Sequence, residues 1–75
     1  MCTIKISEPG KPVKWVKDID KLTGEVTFTT DKHEAYVRDG RFYCNSEVTT
    51  LQNPMMYDHE KYPELVYAKT DSDCY

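Results

Sequence analysis

Ala-Tyr-Val-Arg-Asp-Gly-Arg-Phe-Tyr-Cys, residues 35–44, is the stretch whose reading decides the fold. Asp39-Gly40 is the dipeptide that a two-residue type I′ turn favours, because both central residues need positive φ. Turned there, the chain sets Arg38 against Arg41, Val37 against Phe42, Tyr36 against Tyr43 and Ala35 against Cys44. Side chains alternate between the two faces of a strand. Ala35, Val37, Phe42 and Cys44 therefore share an apolar face, while Tyr36, Arg38, Arg41 and Tyr43 share a polar, aromatic one. The expectation is a β-hairpin with Val37 and Phe42 directed into a core.

On the N-terminal side, residues 3–6 alternate like a short strand and end at the turn signal Pro9-Gly10. Residues 13–19 and 25–30 are rich in β-branched and aromatic side chains, and Asp20-Lys21-Leu22-Thr23-Gly24 suits a hairpin loop whose glycine is left-handed. Pairing Asp20 with Glu25 places Ile19 opposite Val26, Lys17 opposite Phe28 and Trp15 opposite Thr30. Trp15, Ile19, Val26 and Phe28 then form the second half of the core. Lys17 is the misfit, and its amine has to snorkel past Phe28 to water. Residues 31–34 (Asp-Lys-His-Glu) have capping-box spacing, so one helical turn and a loop are both open.

On the C-terminal side, Asn45-Ser46 breaks the pattern and residues 47–51 read as a short strand. Asn53-Pro54 is a helix start, with Asn as N-cap and Pro in the first turn, for a helix near 54–61 that Pro63 stops. Residues 64–69 read as a final strand, and 70–75 as a frayed end. The fold class expected is α+β, mostly β: a small antiparallel sheet of two hairpins, a short helix near 54–61 and a final strand, in one domain spanning 1–75.

Lys14-Trp15-Val16-Lys17, then residues 24–31 (Gly-Glu-Val-Thr-Phe-Thr-Thr-Asp), then Ala35, resemble small uncharacterised β-domain proteins encoded by bacteriophages. Those proteins show an aromatic-Val-Lys strand followed by a Gly-x-Val-Thr-x-Thr strand that leads to an alanine. The resemblance covers residues 3–35, and beyond Ala35 this chain departs from the pattern. It implies a phage or prophage origin and brings no activity and no functional residue with it.

Composition limits what such a domain does. With 75 residues, 39% of them apolar and 12% aromatic, a single core only just offsets chain entropy, so a partner or a homodimer contact is expected to help. No apolar run approaches the roughly 20 residues of a membrane-spanning helix, and residues 1–6 carry no signal-peptide block. Cys2, Cys44 and Cys74 are odd in number and far apart, which reads as three free thiols in a cytoplasmic protein. Residues 1–44 hold eight Lys/Arg against seven Asp/Glu; residues 45–75 hold two against six. The acidic second half disfavours general attraction to nucleic acid.

His33, His59 and the cysteines lack the local pairing of metal ligands, and Asp18-Ile19-Asp20 lacks the glycine of a calcium loop. Cys44 with His33 or His59 is the one Cys–His combination, and it sits on the face assigned to the core, where a thiol is inert. No catalytic residue, metal or cofactor is expected.

Two binding surfaces remain. Asp58, Glu60, Tyr62, Glu64 and Tyr67 interleave carboxylates with tyrosines, so that carboxylates stand in for phosphates and rings for bases on a basic, nucleic-acid-handling protein. This surface leads to the function expected: a non-enzymatic interaction module, phage-derived, that binds and modulates a host or defence protein in the host cytoplasm. The same segment also reads as one that packs on the sheet with its charges in water. The other face, Tyr36, Arg38, Arg41 and Tyr43, has the residue types of interface hot spots and of single-strand nucleic-acid platforms. Its competing reading is a face covered by the C-terminal segment or the helix, with the arginines paired to Glu47, Glu60 or Glu64. A structural subunit of an assembly is the third alternative.

Overall fold

The computed structural model describes residues 1–74. Its organising element is β1 (Cys2–Ser7), whose Cys2, Ile4 and Ile6 are buried on one face. β2 (Lys14–Asp20) and β3 (Glu25–Thr29) follow, and a 3-10 turn (Lys32–Glu34) leads to the two-residue β4 (Val37–Arg38). Helix α1 (Arg41–Leu51), the one-turn α2 (Glu64–Tyr67) and β5 (Lys69–Cys74) complete the chain. All pairings are antiparallel. One edge of β1 carries β5 along its whole length, from Cys2↔Cys74 to Ser7↔Lys69. The other edge is divided between β2, at Lys5 and Ile6, and β4, at Cys2 and Thr3. The architecture is α+β and mostly β.

The β2–β3 hairpin has the expected register at its turn, with Asp20↔Glu25 and Ile19↔Val26. A bulge then falls between Val16 and Asp18, so that Phe28 faces Val16 and Trp15 faces Thr29. The extra residue resolves the Lys17 misfit: Val16 takes the buried place and Lys17 stands in solvent. Trp15 moves to the opposite face, where its Nε1 donates to Asp73 Oδ2 (3.3 Å). The carbonyl of Val16 accepts from the Tyr36 N–H (2.8 Å).

The second hairpin does not form. Gly40 has the positive φ expected of it (97°), but among the described residues no non-glycine does, so Asp39 cannot be the other half of a type I′ turn. The chain instead starts α1 at Arg41, and the strand expected over 47–51 is the end of that helix. Its buried stripe is Cys44, Glu47 and Leu51, with Val48 packed beside it. Thr49 and Thr50 are poor helix formers, yet each hydroxyl donates to the carbonyl four residues back, on Asn45 (3.1 Å) and Ser46 (3.0 Å). Packing on β1 holds the helix where propensity does not. The Cys44 thiol donates to the Thr3 carbonyl (3.2 Å), and Glu47, inside the stripe, is bridged by Lys21 (3.1 Å).

Residues 54–61 are a chain of turns rather than a helix. The cap chemistry is present: Asn53 Oδ1 accepts from the Met55 N–H (3.0 Å). A second cap, Asp58 Oδ1 accepting from Glu60 N (2.9 Å), follows within one turn and stops propagation. Tyr57 and Tyr62 are buried and pin the segment to the core. The strand expected over 64–69 is displaced: 64–67 form one helical turn that buries Leu65, and the strand is 69–74. That segment, expected to be frayed, is paired along all of β1 and tied by a Cys2–Cys74 disulfide, with position 75 outside the described residues. The three-thiol reading is therefore corrected; Cys44 alone is free.

Candidate functional site

Where β4 gives way to α1, the chain builds an exposed corner from residues 36–43. β4 is placed by β1, with Arg38 opposite Cys2 and Val37 opposite Thr3. Gly40 redirects the backbone, and α1 begins with Arg41, Phe42 and Tyr43 in its first turn. The inward stripe starts only at Cys44, so the first turn faces water.

Phe42, expected in the core, is 80% exposed; Tyr43 is 55% exposed and Val37 is 40% exposed. The Phe42 and Tyr43 rings meet edge-to-face with centroids 5.7 Å apart. The Arg38 guanidinium lies 5.7 Å from the centre of the Tyr43 ring and donates through Nη1 to the Tyr36 hydroxyl (3.3 Å). Val37, Arg38, Asp39 and Tyr43 line a shallow hollow of about 260 Å³. Among the described residues no carboxylate lies within 4.0 Å of either guanidinium, and the enclosed Arg38 Nε has no acceptor. The first turn of α1 holds no acidic residue, so Arg41 adds to the positive end of the helix dipole. The arginines do not pair with Glu47, Glu60 or Glu64: Glu47 is held by Lys21 and Glu64 by Lys14.

The structure thus brings Tyr36, Arg38 and Tyr43 together, with Arg41 beside them in sequence, although a strand and a helix supply them rather than two strands. Phe42 was missed by sequence reasoning. The signal that finds it is the spacing of Cys44, Val48 and Leu51 at i, i+4 and i+7, a helical stripe that leaves position 42 outside.

The acidic set fares differently. Tyr62 is 9% exposed and packs edge-on against Phe28 at 6.0 Å, so it is a core residue and a correction to the expected surface. Glu64 bridges Lys14 (3.6 Å), and the Asp58 carboxylate accepts from the Glu60 and Lys61 N–H groups. Glu60 is exposed and Tyr67 is 84% exposed. One of the five residues is held by the packing, one by an ion pair and one by a turn.

Cys44 is buried, and loss of hydration pushes its thiol above the ordinary cysteine range, with Glu47 adding to the shift. His59 Nε2 is engaged with the Leu51 carbonyl (2.9 Å). Among the described residues no helix is long and apolar enough to cross a membrane. Comparison with family models, curated proteins and solved structures finds no match to this chain.

Proposed function

We propose that this chain is a non-enzymatic interaction module that binds another protein through the corner of Val37, Arg38, Arg41, Phe42 and Tyr43. One observation carries the reading: two adjacent aromatic rings stand in water at the first turn of α1, and the core does not use them. Exposed apolar groups gathered at one place mark interaction sites, and aromatic and arginine side chains dominate interface hot spots. Of the acidic, tyrosine-rich segment, Glu60 and Tyr67 are exposed, and Asp58 is exposed with its carboxylate capping its own turn.

Origin as a phage-encoded modulator of a host or defence protein remains part of this proposal and is supported by the resemblance over residues 3–35. Action in the host cytoplasm carries a condition: the Cys2–Cys74 bond has to persist against the reducing pool there. A second reading, single-stranded nucleic acid on the same corner, is favoured by the stack of Arg38 on Tyr43.

The test is affinity capture from host lysate with nuclease treatment, comparing the wild type with Phe42→Ala/Tyr43→Ala. A protein retained after nuclease and lost with the double variant, at unchanged melting temperature, is the expected result. Capture untouched by the double variant would overturn the proposal, and capture abolished by nuclease would transfer it to the nucleic-acid reading.

A further inference from the structure

Most lysines of this chain are paired and its arginines are not: of eight lysines, Lys5 and Lys17 alone lack a carboxylate within 4.0 Å among the described residues. Lys11, Lys14, Lys21, Lys32, Lys61 and Lys69 each lie within 4.0 Å of a carboxylate. Arg38 and Arg41 are the only arginines in the chain, and neither has one among the described residues. This inverts the usual order, because guanidinium is the better partner for a carboxylate: planar, weakly hydrated and able to donate in parallel pairs. With 13 Asp/Glu against 10 Lys/Arg, acids are in excess, so scarcity does not explain it. Asp39 stands between the two arginines in sequence and is not within bridging distance of either. Arg38 also keeps an enclosed Nε donor without an acceptor. The Arg38 guanidinium belongs to the same corner as Val37 and Tyr43, and Arg41 opens the exposed helical turn that carries Phe42 and Tyr43.

We infer that the occupant of this corner is a protein segment that brings a carboxylate side chain to Arg38 and Arg41 and lodges a neighbouring apolar side chain against Val37, Phe42 and Tyr43. The inference rests on the reading of the corner as a protein-binding surface and names the chemistry of its partner. A carboxylate completes two unpaired guanidiniums, and an apolar side chain covers rings that otherwise face water. Nucleic acid fits less well. Its affinity comes from many phosphate contacts, and two cations with Asp39 beside them would give a logarithmic salt slope of only about 1.4 on a single strand.

The probe is a random peptide library displayed against the oxidised, full chain, with the enriched peptides resynthesised and measured by fluorescence polarisation. Labelled oligo-dT of 20 nucleotides is run in parallel. Enriched peptides are expected to carry Asp or Glu within two positions of a bulky apolar residue. Arg41→Ala should weaken them about tenfold, as should conversion of their acid to its amide; Arg41→Lys should recover only part of the loss. Arg41 is exposed and outside the β1 pairing, so its replacement reads binding without disturbing the fold; Arg38→Ala is the companion variant, checked by melting temperature. Peptides lost with Phe42→Ala but indifferent to both arginine variants would sink this inference and leave the protein-binding reading intact. Peptides indifferent to Phe42→Ala as well would sink both. Enriched peptides without an acid, a library with no binders, or tight oligo-dT binding removed by Arg41→Ala would each overturn the carboxylate assignment.

Discussion

Reducing the Cys2–Cys74 bond should remove a large share of the stability of this domain. The bridge joins residues 72 apart, nearly the whole chain. In the chain-entropy description, a closed loop of that length restricts the unfolded state by about 4 kcal/mol. A domain of 75 residues holds in total only about 4–11 kcal/mol. The local structure gives no second anchor of that strength: none of the six side chains of β5 is fully buried, and beyond its ladder to β1 the strand is held by Cys74 and by the bonds of Asp73 to Trp15 and Lys32. The expected outcome in urea or thermal melts with and without reductant is a fall in melting temperature of roughly 15–30 °C. Amide exchange should rise first over 69–74. Thiol titration of the unfolded chain should count one free group before reduction, from Cys44, and three after it. Melts that coincide with and without reductant, once three thiols have been counted, would refute the reasoning and return the protein to a fold that β5 does not clamp.

Two further outcomes follow from single positions. Gly40→Val should cost on the order of 1–3 kcal/mol, because φ at Gly40 is 97° and a β-branched residue is strained there even though a Cβ would have room, 3.8 Å from Tyr43; an unchanged melting temperature would count against this helix start. Asp73 is held below the ordinary aspartate range by its bond to Lys32, with Trp15 Nε1 helping against partial burial. Its folded-state value is depressed, so the stability it contributes is present above about pH 4 and is lost as pH falls through the folded value; Asp73→Asn should flatten that part of the acid-unfolding curve.

How much of this was legible follows from where the physics is local. The Ile19–Val26 register was readable because a turn and an alternating pattern fix it within the eight residues 19–26. The bulge at Lys17 has no local signal of its own, yet its cause is visible as a lysine forced opposite Phe28. The helix over 41–51 was misread because Val48, Thr49 and Thr50 have strand propensity, and Asp39-Gly40 is a strong hairpin signal only if both residues take positive φ. What decides between hairpin and helix is β1: its Cys2, Ile4 and Ile6 need a cover, and Cys44 and Leu51 supply it from a helix. The C-terminal strand was missed for the same reason. Lys-Thr-Asp-Ser-Asp-Cys has no core pattern, and its place comes from an edge of β1 and a bond to Cys2.

The same change of local structure creates the candidate site. In a hairpin, Phe42 and Cys44 would share the core face, and Tyr36 and Tyr43 would stack across two strands. In the helix, two residues, or about 200° of rotation, separate their fates. Cys44 goes to the core and donates to Thr3, while Phe42 stands in water against Tyr43. The arginines change role as well, from cross-strand neighbours that repel each other to two guanidiniums on different elements, neither bridged by an acid among the described residues. A core needs Cys44, Glu47 and Leu51 from this helix; it has no need of Arg41, Phe42 or Tyr43. Leaving two aromatics and an arginine exposed costs solubility and returns nothing to the fold, so the residues that the packing does not use are the ones that recognition of a partner would.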